Sequence, residues 1–72
     1  MVIIYSTSWC PSCVSAKRLL ESKNIAYKEI NIEQENISRE KLTEISGAGT
    51  VPQIMIDNKS IGGFDNLLQL DQ

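Results

Sequence analysis

The chain has 72 residues, 42% of them hydrophobic and 22% charged, with a net charge of −2 at neutral pH. That length predicts one domain, residues 1–72, burying only about 60% of its unfolded surface and leaving no room for a second lobe. The charge balance argues against a nucleic-acid partner, since no basic cluster is longer than Lys17-Arg18, and no run reaches the roughly 18 apolar residues needed to span a bilayer.

In chain order, Val2-Ile3-Ile4-Tyr5 lacks alternation, as suits a strand covered on both faces of a sheet. No basic leader precedes it, and Ser6, Ser8, Pro11 and Ser12 interrupt any signal-peptide core, so a soluble, cytoplasmic protein is expected. From Pro11 to Lys23, Val14, Ala16, Leu19 and Leu20 recur at helical spacing. Pro11 fits a first helical turn, where its missing N–H is not needed, and Asn24 is the expected stop. Ala26 to Ile32 alternates and predicts a second strand. Strand, helix and strand within about 30 residues make a βαβ unit, with parallel strands and a right-handed crossover.

Asn36 precedes a second helical stretch, with Leu42 and Ile45 inward, Arg39, Glu40, Lys41 and Glu44 outward, and Gly47 and Gly49 at its end. Gln53 to Ile56, the turn Asp57-Asn58 and Lys59 to Ile61 predict a hairpin. Gly62-Gly63 breaks the chain, and Phe64, Leu67, Leu68 and Leu70 suggest a short closing helix. The order βαβαββα implies an α/β fold: a four-stranded mixed sheet with helices on both faces. Tyr5, Ile25, Tyr27 and Met55 are expected in the core or at its edge, and the charged face from Glu33 to Glu44 in solvent.

Cys10 and Cys13 stand three positions apart in Trp9-Cys10-Pro11-Ser12-Cys13, at the junction of the first strand and first helix. Two cysteines in one short motif point to catalysis or metal binding rather than a stapling framework. As a staple the pair closes a loop worth only roughly 2 kcal/mol. A structural zinc ion needs four ligands, and two cysteines without a histidine cannot supply them within one chain, so no metal is expected. A helix N-terminus favours thiolate over thiol. Cys10 is therefore expected to be the exposed nucleophile, with Cys13, one turn in, less exposed and nearer to ordinary thiol behaviour. Activation comes from the backbone, helped by Lys17, since no imidazole is available. Cys10 would attack a disulfide, and Cys13 would then attack the mixed disulfide to release product. Thr50-Val51-Pro52 opens the third strand, where proline is tolerated and a cis bond is a tight-turn feature.

With Tyr5-Ser6, Cys10-Pro11-Ser12-Cys13, Thr50-Val51-Pro52-Gln53-Ile54 and Ile61-Gly62-Gly63-Phe64-Asp65-Asn66-Leu67 in this order, the sequence resembles the glutaredoxins of the thioredoxin-fold superfamily. The resemblance covers nearly the whole chain and implies the same element order. It implies that Cys10 is the nucleophile and Cys13 the resolving thiol, and that Val51-Pro52 is cis and faces them. Glutathione would be held by Thr50, the Val51 backbone and Pro52 on one side, and by Gly63, the Phe64 backbone and Asp65 at its γ-glutamyl end. Glutathione is then the reducing co-substrate, no cofactor is bound, and the protein acts as a monomer on protein disulfides and glutathione mixed disulfides.

Three departures from the family pattern stand out. Thr7 stands where many glutaredoxins carry lysine, and Ala48 and Gly49 where many carry a basic residue or glutamine. Trp9 is more like thioredoxins and forms an apolar rim for docking substrates. Two alternatives follow. One is a hydrogen donor for ribonucleotide reductase, reduced by thioredoxin reductase. The other is a dimer bridging an iron–sulfur cluster through Cys10 of each chain, ranked lower because Pro11 stiffens the loop and Cys13 offers a competing disulfide.

Overall fold

The computed structural model of the protein describes residues 1–70; positions 71 and 72 of the expected domain lie outside the described residues. Seven elements follow in the order β1 (Val2–Ser6), α1 (Pro11–Ser22), β2 (Tyr27–Asn31), α2 (Arg39–Ser46), β3 (Gln53–Ile56), β4 (Lys59–Gly62) and α3 (Phe64–Leu70). This is the βαβαββα order expected from the sequence. The sheet runs β2-β1-β3-β4. β1 and β2 are parallel with Ile4 opposite Glu29, and β1 and β3 are antiparallel with Ile4 opposite Ile54. β3 and β4 are also antiparallel, but Ile54 pairs with Gly62 and Met55 with Ser60, so Ile61 is an extra residue that bends the edge strand.

The unbroken apolar run in β1 is explained by two hydrophobic clusters, one on each face of the sheet. Val2 and Ile4 pack with Ala16 and Leu20 of α1, Ile54 of β3 and Leu67 of α3. Tyr5 packs on the opposite face with Ile32 and Leu42 of α2, joined by Ile3, Ile45 and Met55. Successive strand side chains point to opposite sides, so β1 serves both layers and must be apolar throughout.

Local chemistry sets the boundaries. α1 buries Cys13, Ala16 and Leu20, a stripe at i, i+3 and i+7. Val14, one of the apolar residues at helical spacing, falls off this stripe and is exposed. Ile25 is likewise exposed rather than in the core, because it lies in the turn that follows α1. Asn36 does not cap α2. It takes a left-handed conformation (φ 55°) in the preceding turn, and Ser38 caps instead, its Oγ accepting from Lys41 N–H at 3.0 Å. Gly47 ends α2 at φ 90°, its N–H donating to the Thr43 carbonyl at 2.8 Å. Asp57 and Asn58 both have positive φ (50° and 68°), the geometry of a two-residue hairpin turn with matching twist. The Met1 amine pairs with the Asp57 carboxylate, tying the chain start to this turn. Among the described residues no helix is long and apolar enough to cross a membrane.

Candidate active site

β1 ends at Ser6, and Thr7 to Trp9 carry the chain over its carboxyl end into α1. Cys10 is the N-cap of that helix and Pro11 its first residue. The Cys10 backbone is extended (φ −97°, ψ 106°), which turns its side chain back over the first turn. Sγ there accepts the Cys13 N–H at 3.1 Å, one of the donors that a helix start leaves unpaired. Its thiol also lies 3.8 Å from the Val51 carbonyl oxygen, so the loop before β3 leans over it. Cys10 is 6% exposed and Cys13 1%. The expected order of the two thiols holds, but the open exposure expected of Cys10 does not, because the Thr50–Pro52 loop covers it.

Both cysteines are thiols rather than a disulfide. Burial pushes Cys13 up to about 12, and its hydrogen bond to the Cys10 sulfur and the Cys10 charge act in the same direction. A backbone hydrogen bond at Thr7 and the Lys17 charge oppose them. Cys13 is thus held firmly protonated rather than near ordinary thiol behaviour. An apolar pocket inside the helix–sheet layer penalises the charged form, and position one turn in from the N-terminus does not offset that.

The Val51-Pro52 bond is cis, and its loop forms one wall of an open groove of about 300 Å³ beside the cysteines. Thr50, Val51, Pro52, Gly63, Phe64 and Asp65 all line this groove, so the six residues singled out in the sequence converge although two segments supply them. Ser12 and Asn66 line it too. Asn66 accepts the Gly63 N–H at 3.3 Å and lies so close to Gly62 (φ 103°) that a Cβ there would meet its Oδ1 at 2.6 Å. Only glycine fits. Behind the groove, Gln53 is buried and its Nε2 donates to Thr50 Oγ1 at 3.1 Å, fixing that hydroxyl.

The other flank of Cys10 was only partly visible in the sequence. Trp9 is 62% exposed, as expected of a rim, yet its ring is fixed. Its Nε1 donates to one Glu33 oxygen at 3.3 Å, while Ser8 N–H donates to the other at 3.1 Å. The Arg39 guanidinium stands 5.9 Å from the ring centroid, within cation–π reach, and its Nη1 donates to the Gly49 carbonyl at 2.7 Å. Glu33 and Arg39, read from the sequence as a solvated face, therefore brace the site. Gly49 permits this approach: a Cβ there would sit 2.9 Å from Thr43 Oγ1 and 3.3 Å from the Arg39 carbonyl.

The chain is similar to known proteins in sequence and in fold. A sequence model of the glutaredoxin family matches residues 2–61. Glutaredoxin 1 of Rickettsia typhi is 43% identical over 75 residues, covering 99% of this chain and 70% of that protein. Among solved structures, the holo form of glutaredoxin C1 from Populus tremula x tremuloides superimposes with a TM-score of 0.89 at 31% identity, covering 99% of this chain and 73% of that one. The buckwheat glutaredoxin–glutathione complex does so with a TM-score of 0.87 at 27% identity, covering 97% and 66%. The four-stranded mixed sheet and its helices are accordingly a thioredoxin-like fold. With the thiol pair of Cys10 and Cys13 at the head of α1, the chain belongs to the glutaredoxin family and is a thiol–disulfide oxidoreductase.

Proposed function

We propose that the chain is a dithiol glutaredoxin that draws its electrons from glutathione, with Cys10 as nucleophile and Cys13 as resolving thiol. The observation that carries this reading is the groove beside Cys10, into which Thr50, Val51, Pro52, Gly63, Phe64 and Asp65 converge. An extended tripeptide fits such a groove by backbone pairing at Val51, strand addition in miniature. The Asp65 carboxylate meets the γ-glutamyl ammonium group, and Gly63 and the Phe64 backbone meet its carboxylate. Arg39, fixed over Trp9 and bonded to the Gly49 carbonyl, supplies positive charge on the other flank of Cys10, where a protein substrate docks. The glutathione complex of the buckwheat relative supports the same substrate here.

In the first step the Cys10 sulfur attacks a glutathionyl disulfide, taking the glutathionyl sulfur and releasing the target thiolate. The Cys13 N–H on Sγ stabilises charge on the attacking atom. A second glutathione, or Cys13, then resolves the mixed disulfide. Resolution by Cys13 leaves a Cys10–Cys13 disulfide that two glutathiones reduce. Once Cys10 carries glutathione it no longer bears charge, so one of the influences that keep Cys13 protonated is lifted. Glutathione enters as co-substrate rather than as a bound cofactor, in a cytoplasmic monomer acting on protein disulfides. Ribonucleotide reductase is a candidate target of this chemistry. The test is reduction of the oxidised protein by glutathione alone, compared with thioredoxin reductase plus NADPH. Rapid reduction by glutathione supports the reading, and reduction by the reductase alone overturns it.

A further inference from the structure

Cys13 has to lose a proton before it can close the ring, in a place where burial and the neighbouring sulfur keep that proton on. Lys17 lies one turn after it on α1, half-buried, with its Nζ 2.8 Å from Glu29 Oε2. That same oxygen accepts the Ser6 Oγ–H at 2.7 Å, and Ser6 is fully buried. Glu29 stands opposite Ile4 in the parallel β1–β2 ladder, and Ile4 packs on α1, so Glu29 rises on the α1 side of the sheet. The next residue after Ser6, Thr7, supplies the backbone hydrogen bond to the Cys13 sulfur. Lysine and thiol are thus referenced to adjacent residues, the last of β1 and the one after it. An open polar cleft of about 320 Å³, lined by Thr7, Val14, Lys17 and Glu29 among others, runs from here to solvent. The Thr7 Oγ1 in its wall is buried and takes no protein partner among the described residues.

We propose that Lys17, pinned by Glu29 and Ser6, is a positioning residue for the resolving step, holding a fixed positive charge beside Cys13 while its sulfur becomes anionic. The proposal rests on the order of attack given above. In that step a bond forms between Cys13 Sγ and Cys10 Sγ, the bond from Cys10 to the glutathionyl sulfur breaks, and glutathione leaves with the electron pair as thiolate. The Cys13 proton leaves to water. The charged or titratable groups around Cys13 are Cys10 at the helix start, Lys17 on its own helix and Glu29 on β2, with Glu35 on the far rim of the cleft and Asp65 of α3 in the groove beside Cys10. Lys17 is the one cation among them. Glu29 has its carboxyl held below the usual range by the hydrogen bond from Lys17 and then by that from Ser6. It therefore anchors the lysine and does not take up the proton itself.

The two steps separate when the reduced protein meets an aromatic disulfide whose released thiolate is coloured. A first phase, proportional to reagent, reports attack by Cys10, and a second, independent of reagent, reports ring closure by Cys13. One cation at this depth is worth up to about one pKa unit. Lys17→Met is therefore expected to slow the second phase about threefold to tenfold, more than the first, and by the same factor at every pH well below the Cys13 titration. Lys17→Arg is expected to restore most of the rate, and Glu29→Gln, which releases the lysine, to give an intermediate one. A second phase unchanged in Lys17→Met, slowed no more than the first phase, or not restored by Lys17→Arg, overturns the proposal. Absence of any reagent-independent phase in the unaltered protein removes the order of attack itself, and is read without reference to Lys17.

Discussion

On one side of Cys10 the protein offers a shallow groove of backbone and small side chains, Thr50 to Pro52 facing Gly63 to Asp65. On the other it offers an aromatic ring standing in solvent, held by a carboxylate from the β2–α2 connection and a guanidinium from α2. On the proposed function, the groove recognises a chain by its backbone and its terminal charges, which suits a small peptide with one ammonium group. The ring presents apolar area and positive charge with little backbone, which suits the surface around a protein disulfide. On the proposed function, one nucleophile between two unlike flanks lets a single site serve both substrate classes. The division of labour also gives each substitution a distinct signature.

The largest effect is expected at the shared centre. Cys10→Ser should reduce both activities to background, whereas Cys13→Ser should abolish protein-disulfide reduction and keep reduction of a small glutathione mixed disulfide. Parallel steady-state assays of the two variants check this, and equal loss in both would erase the distinction between attack and resolution. On the groove side, Asp65→Ala should raise KM for glutathionylated substrates about threefold to tenfold, as expected for one charge-assisted contact in a partly open site, with kcat nearly unchanged. An unaltered KM would take Asp65 out of the site. On the ring side, Arg39→Ala removes both the contact with Trp9 and the bond to Gly49. KM for protein disulfides should rise about twofold to fivefold, and the emission of Trp9, the single tryptophan, should change. A silent emission spectrum would mean the ring is not held as described.

The smallest effect is on stability. The Cys13 thiol is raised from 9.0 to about 12 by burial first of all, so the folded state holds this proton more tightly than the unfolded chain does. The contribution is fully present below pH 9 and is lost as pH rises toward 12. Tyr27, raised first by desolvation and then by its hydrogen bond to Glu21, adds a loss of the same sign in the alkaline range. Alkaline denaturation of Cys13→Ser should accordingly be shallower than that of the reduced parent, leaving the Tyr27 component. Identical curves would show that burial of the thiol is not linked to folding.

The two flanks also differ in how far the sequence revealed them. The groove was legible through the resemblance to the glutaredoxins carried by two short motifs; proline and paired glycines by their own backbone preferences marked only turns. Helix α1 was legible from Pro11 and the apolar spacing. The ring flank was not, since Glu33 and Arg39 reach Trp9 across 24 and 30 positions of chain, and charged residues ahead of and within an amphipathic helix look the same whether they brace a neighbour or face water. The link from Ser6 through Glu29 to Lys17 was hidden for a similar reason: it depends on the β1–β2 register, which fixes which face Glu29 takes. The cover over Cys10 depends on where the Val51 carbonyl comes to rest, and local spacing around the thiol pair carries no information about that.

The account stands or falls on which sulfur first accepts glutathione. Incubating reduced Cys13→Ser and Cys10→Ser proteins with oxidised glutathione, followed by mass analysis of the intact chains and of their peptides, answers this directly. One glutathione on Cys10 in the first variant, with none on Cys13 in the second at matched times, is the predicted result. Equal or faster glutathionylation of Cys13 would contradict it.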